Sequence, residues 1–202
     1  TIPISGSTRL AEGVFVVAGH LIDDAFAAEN EIANLNAIER LPGNHNHQNA
    51  AAAFTACRSI GLTDREIIVG MKSFPGLAHR QELVTTDNHI RYINDSKATN
   101  ADAAARALGS YDNIYWIAGG RAKEGGIESL SSYYPRIRKA YLIGESADAF
   151  AKQIGNSLPF EMCGTLDVAV TKAANDAAQS TQKNSVVLLS PACASWDQYR
   201  SF

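Results

Sequence analysis

Apolar positions along the chain change period three times. Over residues 1–40, short apolar runs such as "GVFVVAGHLID" and "NLNAIERL" are separated by polar residues, with turn signals at Gly6 and Gly13, which predicts a short sheet. The period then lengthens. "AAAAFTACRSIG" predicts a helix ending at Gly61, and "TDREIIVGMKSF" predicts a second helix opened by Thr63 and Glu66 as a capping box. "PGLAHR", Pro75 to Arg80, breaks both periods and divides the chain into residues 1–76 and 77–202. Few side chains cross a Pro/Gly hinge, so the two segments are expected to move as separate bodies.

Beyond the break, apolar runs alternate with amphipathic stretches: "HIRYIND", "ADAAARAL", "NIYWIAGG", a loop and short helix, "KAYLIGE", "SADAFAKQI", "PFEMCG", "LDVAVTKAANDAAQ" and "SVVLLSPA". Alternation of this kind predicts an α/β fold with a mostly parallel sheet and helices on both faces, a Rossmann-like domain over residues 77–202. In such a sheet the loops after the strands gather at one edge, where ligands bind.

Three polar turns would meet there: "NDSKATN", "AGGRAKEGG" and "SPACASWDQ". Thr99 and Asp102 have the spacing of a capping box, so helix capping alone explains much of the first turn. Lys97 is left over. A mobile cation beside the amide-rich start of a helix suits a carboxylate or phosphate. Lys123, among glycines, reads either as a solvated loop lysine or as a second cation over the same edge. Ser195 reads as an N-cap that could also hold an anion. In "GNHNHQN", His45 and His47 lack a third ligand, so no metal site is read there. That segment is expected to be a loop bringing the amides of Asn46 and Asn49 to the start of the helix, as caps or as donors to a purine or phosphate. Arg80 suits a bidentate phosphate contact.

Composition narrows the partners. The chain of 202 residues is 46% hydrophobic and carries 18 basic against 21 acidic side chains, a net charge of −3 with both signs scattered, which points away from nucleic acid and membrane surfaces. Cys57, Cys163 and Cys193 lie far apart in apolar surroundings and read as reduced and buried. No run is apolar enough to span a bilayer and no leader is evident, so a soluble, cytoplasmic protein is expected. Neither GxxxxGK[ST] nor a GxGxxG after a strand is present. The chain starts without Met, and Phe202 stands in a helix-like stretch with no stop signal, which predicts a piece of a longer protein.

Taken in order, "LPGNHNHQNAAAA", "FPGLAHR", "YINDSKATN", "AGGRAKEGG" and "LLSPACASWDQY" resemble the Mur ligases of peptidoglycan precursor synthesis. The resemblance covers residues 40–202 well and is strongest with members that add D-glutamate to UDP-N-acetylmuramoyl-L-alanine. It implies that residues 1–76 are the rear part of a central ATPase domain and that residues 77–202 are the C-terminal domain for the incoming amino acid. It also implies a monomer whose phosphate loop and carbamylated, magnesium-holding lysine lie upstream. ATP would activate a carboxylate as an acyl phosphate, with Mg2+ held mainly by parts outside this chain, and the amine of D-glutamate would attack it. Asn46, Asn49, Arg80 and Asp95 would contact ATP, with Asp95 suited to a ribose hydroxyl and Arg80 to a phosphate. Lys97, Thr99, Lys123, Ser195, Trp196 and Phe202 would surround D-glutamate. No catalytic or metal-ligating residue is assigned, and the chain alone is expected to be inactive. A ligase of the wider superfamily, such as a folylpolyglutamate synthase, and a non-catalytic Rossmann-like binding domain are the rival readings.

Overall fold

A computed structural model describes residues 1–199, in two compact units, Thr1–Gly76 and Leu77–Phe202. In the first unit a four-stranded sheet, β1 (Ile4–Ser5), β2 (Gly13–Val17), β3 (His20–Asp24) and β4 (Asn30–Asn34), stands in chain order. Helices α1 (Asn44–Ser59) and α2 (Asp64–Ser73) accompany it. Val14, Val16 and Leu21 of the sheet share a core with Ala50, Ala51 and Phe54 of α1 and Ile67 and Met71 of α2. Helix α2 opens as its sequence predicts. Thr63 accepts the Glu66 N–H while the Glu66 side chain accepts the Thr63 N–H.

Helix α1 begins six residues earlier than its alanine run, which corrects the reading of "GNHNHQN" as a loop. Gly43 takes φ 83° at the N-cap, and the Asn46 amide donates to the Pro42 carbonyl at 2.8 Å. Burial of His47 and Ala50 on one face explains why the weak helix formers Asn44, His45 and Asn46 join the helix. His45 and His47 are two residues apart on it and therefore point to different sides. Burial lowers the pKa of His47 below the usual imidazole value, favouring the neutral ring.

The second unit holds a six-stranded sheet. Its strands are β5 (Glu82–Asp87), β6 (Ile90–Asn94), β7 (Ile114–Gly119), β9 (Ile137–Ile143), β10 (Phe160–Gly164) and β11 (Ser185–Leu189), in the order β10-β9-β7-β11-β6-β5. All pair in parallel except β5, which forms an antiparallel hairpin with β6 at the edge. A separate two-residue ladder joins β8 (Arg121–Ala122) to β12 (Cys193–Ala194).

The central strand β7 is buried along its whole length, as "IYWIAG" requires of a strand covered on both faces. On one face Ala104, Ala107 and Leu108 of α3 (Ala101–Leu108) and Phe150 of α4 (Ala147–Ile154) pack with Trp116 and Leu188. On the other, Ala169, Ala173 and Ala177 of α5 (Leu166–Gln179) meet Tyr115, Tyr141 and Val187. Asp176 of α5 accepts from the Tyr141 hydroxyl at 2.7 Å and pairs with Lys139 at 2.8 Å, which pins that helix at the far side of the sheet. Helix α3 is capped by Asn100, whose Oδ1 accepts the Ala103 N–H at 2.8 Å. The cap expected at Thr99 therefore lies one residue later.

Candidate functional site at the carboxyl edge of the parallel sheet

Register brings Asn94, Leu189 and the end of β7 to the same edge, since Leu189 pairs with both Asn94 and Ile117. Asp95 follows β6, and Ser190 follows β11. The Asp95 N–H donates to the Leu189 carbonyl at 2.7 Å, and the Ser190 hydroxyl donates to Asp95 Oδ2 at 2.8 Å. Trp116 Nε1 donates to the Ser190 carbonyl at 2.8 Å, fixing that residue from the opposite side.

Asp95 also anchors the segment ahead of β5. Its Oδ1 accepts the Gln81 N–H at 3.1 Å. His79 (φ 64°) and Gln81 (φ 46°) are both non-glycine residues in the left-handed region, a conformation that persists where surrounding bonds over-determine it. Glu82 accepts the His79 N–H at 2.9 Å, and the His79 carbonyl accepts the Lys97 N–H at 3.1 Å. Arg80 and Lys97 are held by this bracket with exposed side chains.

Asp95 is 6% exposed, and its pKa is raised to about 6 by burial, against the opposing hydrogen bonds of Ser190 and Gln81 and the charge of Arg80. Each carboxylate oxygen spends one acceptor position within the fold and keeps a second.

A cavity of about 400 Å³ opens at this edge. His79, Asn94, Ser96, Ser195 and Gln198 supply its polar groups, over a floor that includes Ile143, Leu166 and Pro191. A second hollow, of about 420 Å³, lies beside the start of α3, with Asn100, Asp102, Lys123 and Glu124 in its wall.

Ser195 and Lys123, expected around one ligand, line different hollows, and the small ladder explains why. Ala122 pairs with Cys193 and Arg121 with Ala194 in antiparallel register, so Lys123 and Ser195 leave opposite ends of it. The Ser195 carbonyl accepts the N–H groups of Gln198 and Tyr199, as at the first turn of a helix. Trp196 is 59% exposed. Phe202 lies outside the described residues. Asn46 and Asn49 belong to the first unit, where Asn49 is exposed on α1.

Cys193 is 1% exposed, and burial pushes its thiol up to about 12, which leaves it without thiolate at neutral pH. Among the described residues no group of three or more His, Cys, Asp or Glu side chains could hold a metal ion. No described helix is long and apolar enough to cross a membrane. Sequence reasoning missed Ser190 and Glu82. Ser190 is 95 residues from its partner Asp95, and only the β6–β11 pairing brings them together.

A parallel sheet covered on both faces, with polar loops gathered beyond its strand ends, defines an α/β protein of the doubly wound class. The family model described as Mur ligase, glutamate ligase domain, matches residues 79–193, and the chain belongs to that family. It is 50% identical over 201 residues to the UDP-N-acetylmuramoylalanine--D-glutamate ligase of Rhizobium meliloti, covering all of this chain and 43% of the relative. It is 54% identical over 190 residues to the enzyme of the same name from Rhodospirillum rubrum, covering 94% of this chain and 40% of the relative. The chain thus spans less than half the length of these relatives. Among solved structures, MurF from Acinetobacter baumannii superposes with a TM-score of 0.58 at 18% identity, over 89% of this chain and 42% of that one, a likeness of fold.

Proposed function

We propose that this chain supplies the acceptor-binding part, and some of the ATP-facing residues, of a ligase that joins D-glutamate to UDP-N-acetylmuramoyl-L-alanine through an acyl phosphate. The observation that carries the reading is 50% identity along the whole chain to relatives named for that activity. The carboxyl edge suits the chemistry. D-glutamate carries two carboxylates, and the edge offers two hollows, one with Lys123 and one with Ser195. An acceptor lying across the ladder places one carboxylate at each, with Lys97 and Thr99 reaching it from the turn before α3. Trp196 is assigned to the same acceptor, as is Phe202, which lies outside the described residues.

ATP supplies the activation of the sugar-linked carboxylate. Arg80 suits a phosphate because its guanidinium is exposed and its backbone is fixed on both sides by Asp95 and Glu82. Asp95 suits a ribose hydroxyl through its remaining acceptor positions, and Asn46 and Asn49 are read, each by itself, as further contacts to ATP. Magnesium is assigned to residues outside this chain, and the complete protein is read as a cytoplasmic monomer.

A chimeric ligase tests the reading. With this chain in place of the matching 43% of the Rhizobium meliloti relative, phosphate release from ATP is expected to depend on UDP-N-acetylmuramoyl-L-alanine and on D-glutamate together. The chain alone is expected to release none. Release driven by a different amino acid, and not by D-glutamate, would replace the proposed acceptor.

A further inference from the structure

Between the Lys123 loop and the Ser195 turn stands a third loop, Gly144–Ser146, that carries none of the residues assigned above to a ligand. It is hydrogen-bonded to both neighbours. The Ser146 N–H donates to the Gly120 carbonyl at 2.9 Å, and the Ser146 hydroxyl accepts the Ala122 N–H at 2.9 Å, which holds the segment leading to Lys123. On the other side, the Glu145 N–H donates to Asp197 Oδ2 at 2.9 Å. Asp197 is two residues beyond Ser195, and its Oδ1 is buried without a hydrogen-bond partner among the described residues. The fit is close. A Cβ on Gly144, which takes φ 67°, would stand 2.2 Å from Asp197 Oδ2 and 2.6 Å from Gln198 Nε2.

Asp197 is half-buried, and a carboxylate oxygen shut off from water with no hydrogen bond among the described residues is costly, so it persists where the other oxygen fixes something the site needs. We propose that Asp197 is a positioning residue for acceptor binding: through the Glu145 N–H it fastens the Ser195 turn to the same loop that holds the segment leading to Lys123. One bracket then sets the separation of the two anion-binding groups. This inference rests on the proposed D-glutamate site.

In the complete ligase carrying this chain, Asp197→Ala is expected to raise KM for D-glutamate at least tenfold while leaving KM for ATP within about twofold. Asp197→Asn keeps an oxygen for the Glu145 N–H and is expected to restore KM to within about threefold of the original. Asp197→Ser, polar but too short to reach that amide, is expected to behave like alanine and serves where alanine does not fold. An unchanged KM for D-glutamate in the alanine or serine variant overturns the proposal.

A second measurement needs no substrate. Amide exchange at Glu145 is expected to quicken at least tenfold in the alanine or serine variant, and unchanged protection there also overturns the latch. If the unaltered ligase makes no use of D-glutamate, the functional reading fails, while amide exchange still decides whether the latch exists.

Discussion

Asp95 stands where water scarcely reaches it, tied to Ser190 on one side and to the Gln81 backbone on the other. Burial raises its pKa to about 6 from an ordinary value of 3.8. Between about pH 4 and pH 6, the folded chain therefore keeps a proton that the unfolded chain has lost. Asp95 thus contributes stability that is full below pH 4 and falls as pH rises through 6, by on the order of 2–3 kcal/mol. Above that window the carboxylate is mostly ionised, beside the guanidinium of Arg80. Asp95→Asn removes the titration. Its melting temperature is expected to gain on the parent as pH rises from 4.5 to 7.5, and a constant difference across that range would show that Asp95 is not desolvated as described. From the sequence, the polarity of "NDSKATN" marks a turn worth attention. It does not reveal that Asp95 faces inward while Lys97 faces out, since that follows from the pairing of β6 with β11.

At the scale of elements, the parts that were legible carry their signal locally. "IYWIAG" and "SVVLL" are unbroken apolar runs and form strands covered on both faces, and Thr63 with Glu66 caps α2 as spaced. Strand β5 was not legible: its "ELVTTD" is largely exposed, with a bulge between Leu83 and Thr85, so no alternation marks it. At α3, Thr99 and Asn100 are adjacent and both suitable as caps, and three-dimensional reach selects Asn100. The two roles separate by mutation. Asn100→Ala is expected to cost about 1 kcal/mol of stability, whereas Thr99→Ala is expected to leave melting nearly unchanged and to impair use of D-glutamate. Equal melting losses in both variants would return Thr99 to the helix cap.

Across the whole molecule, family membership follows from residues 79–193, while the acceptor site is proposed from what one sheet edge gathers. The turn after β6 is where that proposal is most exposed to test, because a helix cap has no need of Lys97. A charge-assisted hydrogen bond to a carboxylate is worth about 1.5–3 kcal/mol, or roughly a ten- to hundredfold change in affinity. The decisive measurement is steady-state kinetics of the complete ligase with D-glutamate varied, comparing Lys97→Ala with the parent, alongside a melting curve for each. A loss of about ten- to a hundredfold in kcat/KM for D-glutamate, with KM for ATP and the melting temperature nearly unchanged, is the expected result. Parental KM and kcat in Lys97→Ala would contradict it and remove this turn from the acceptor site.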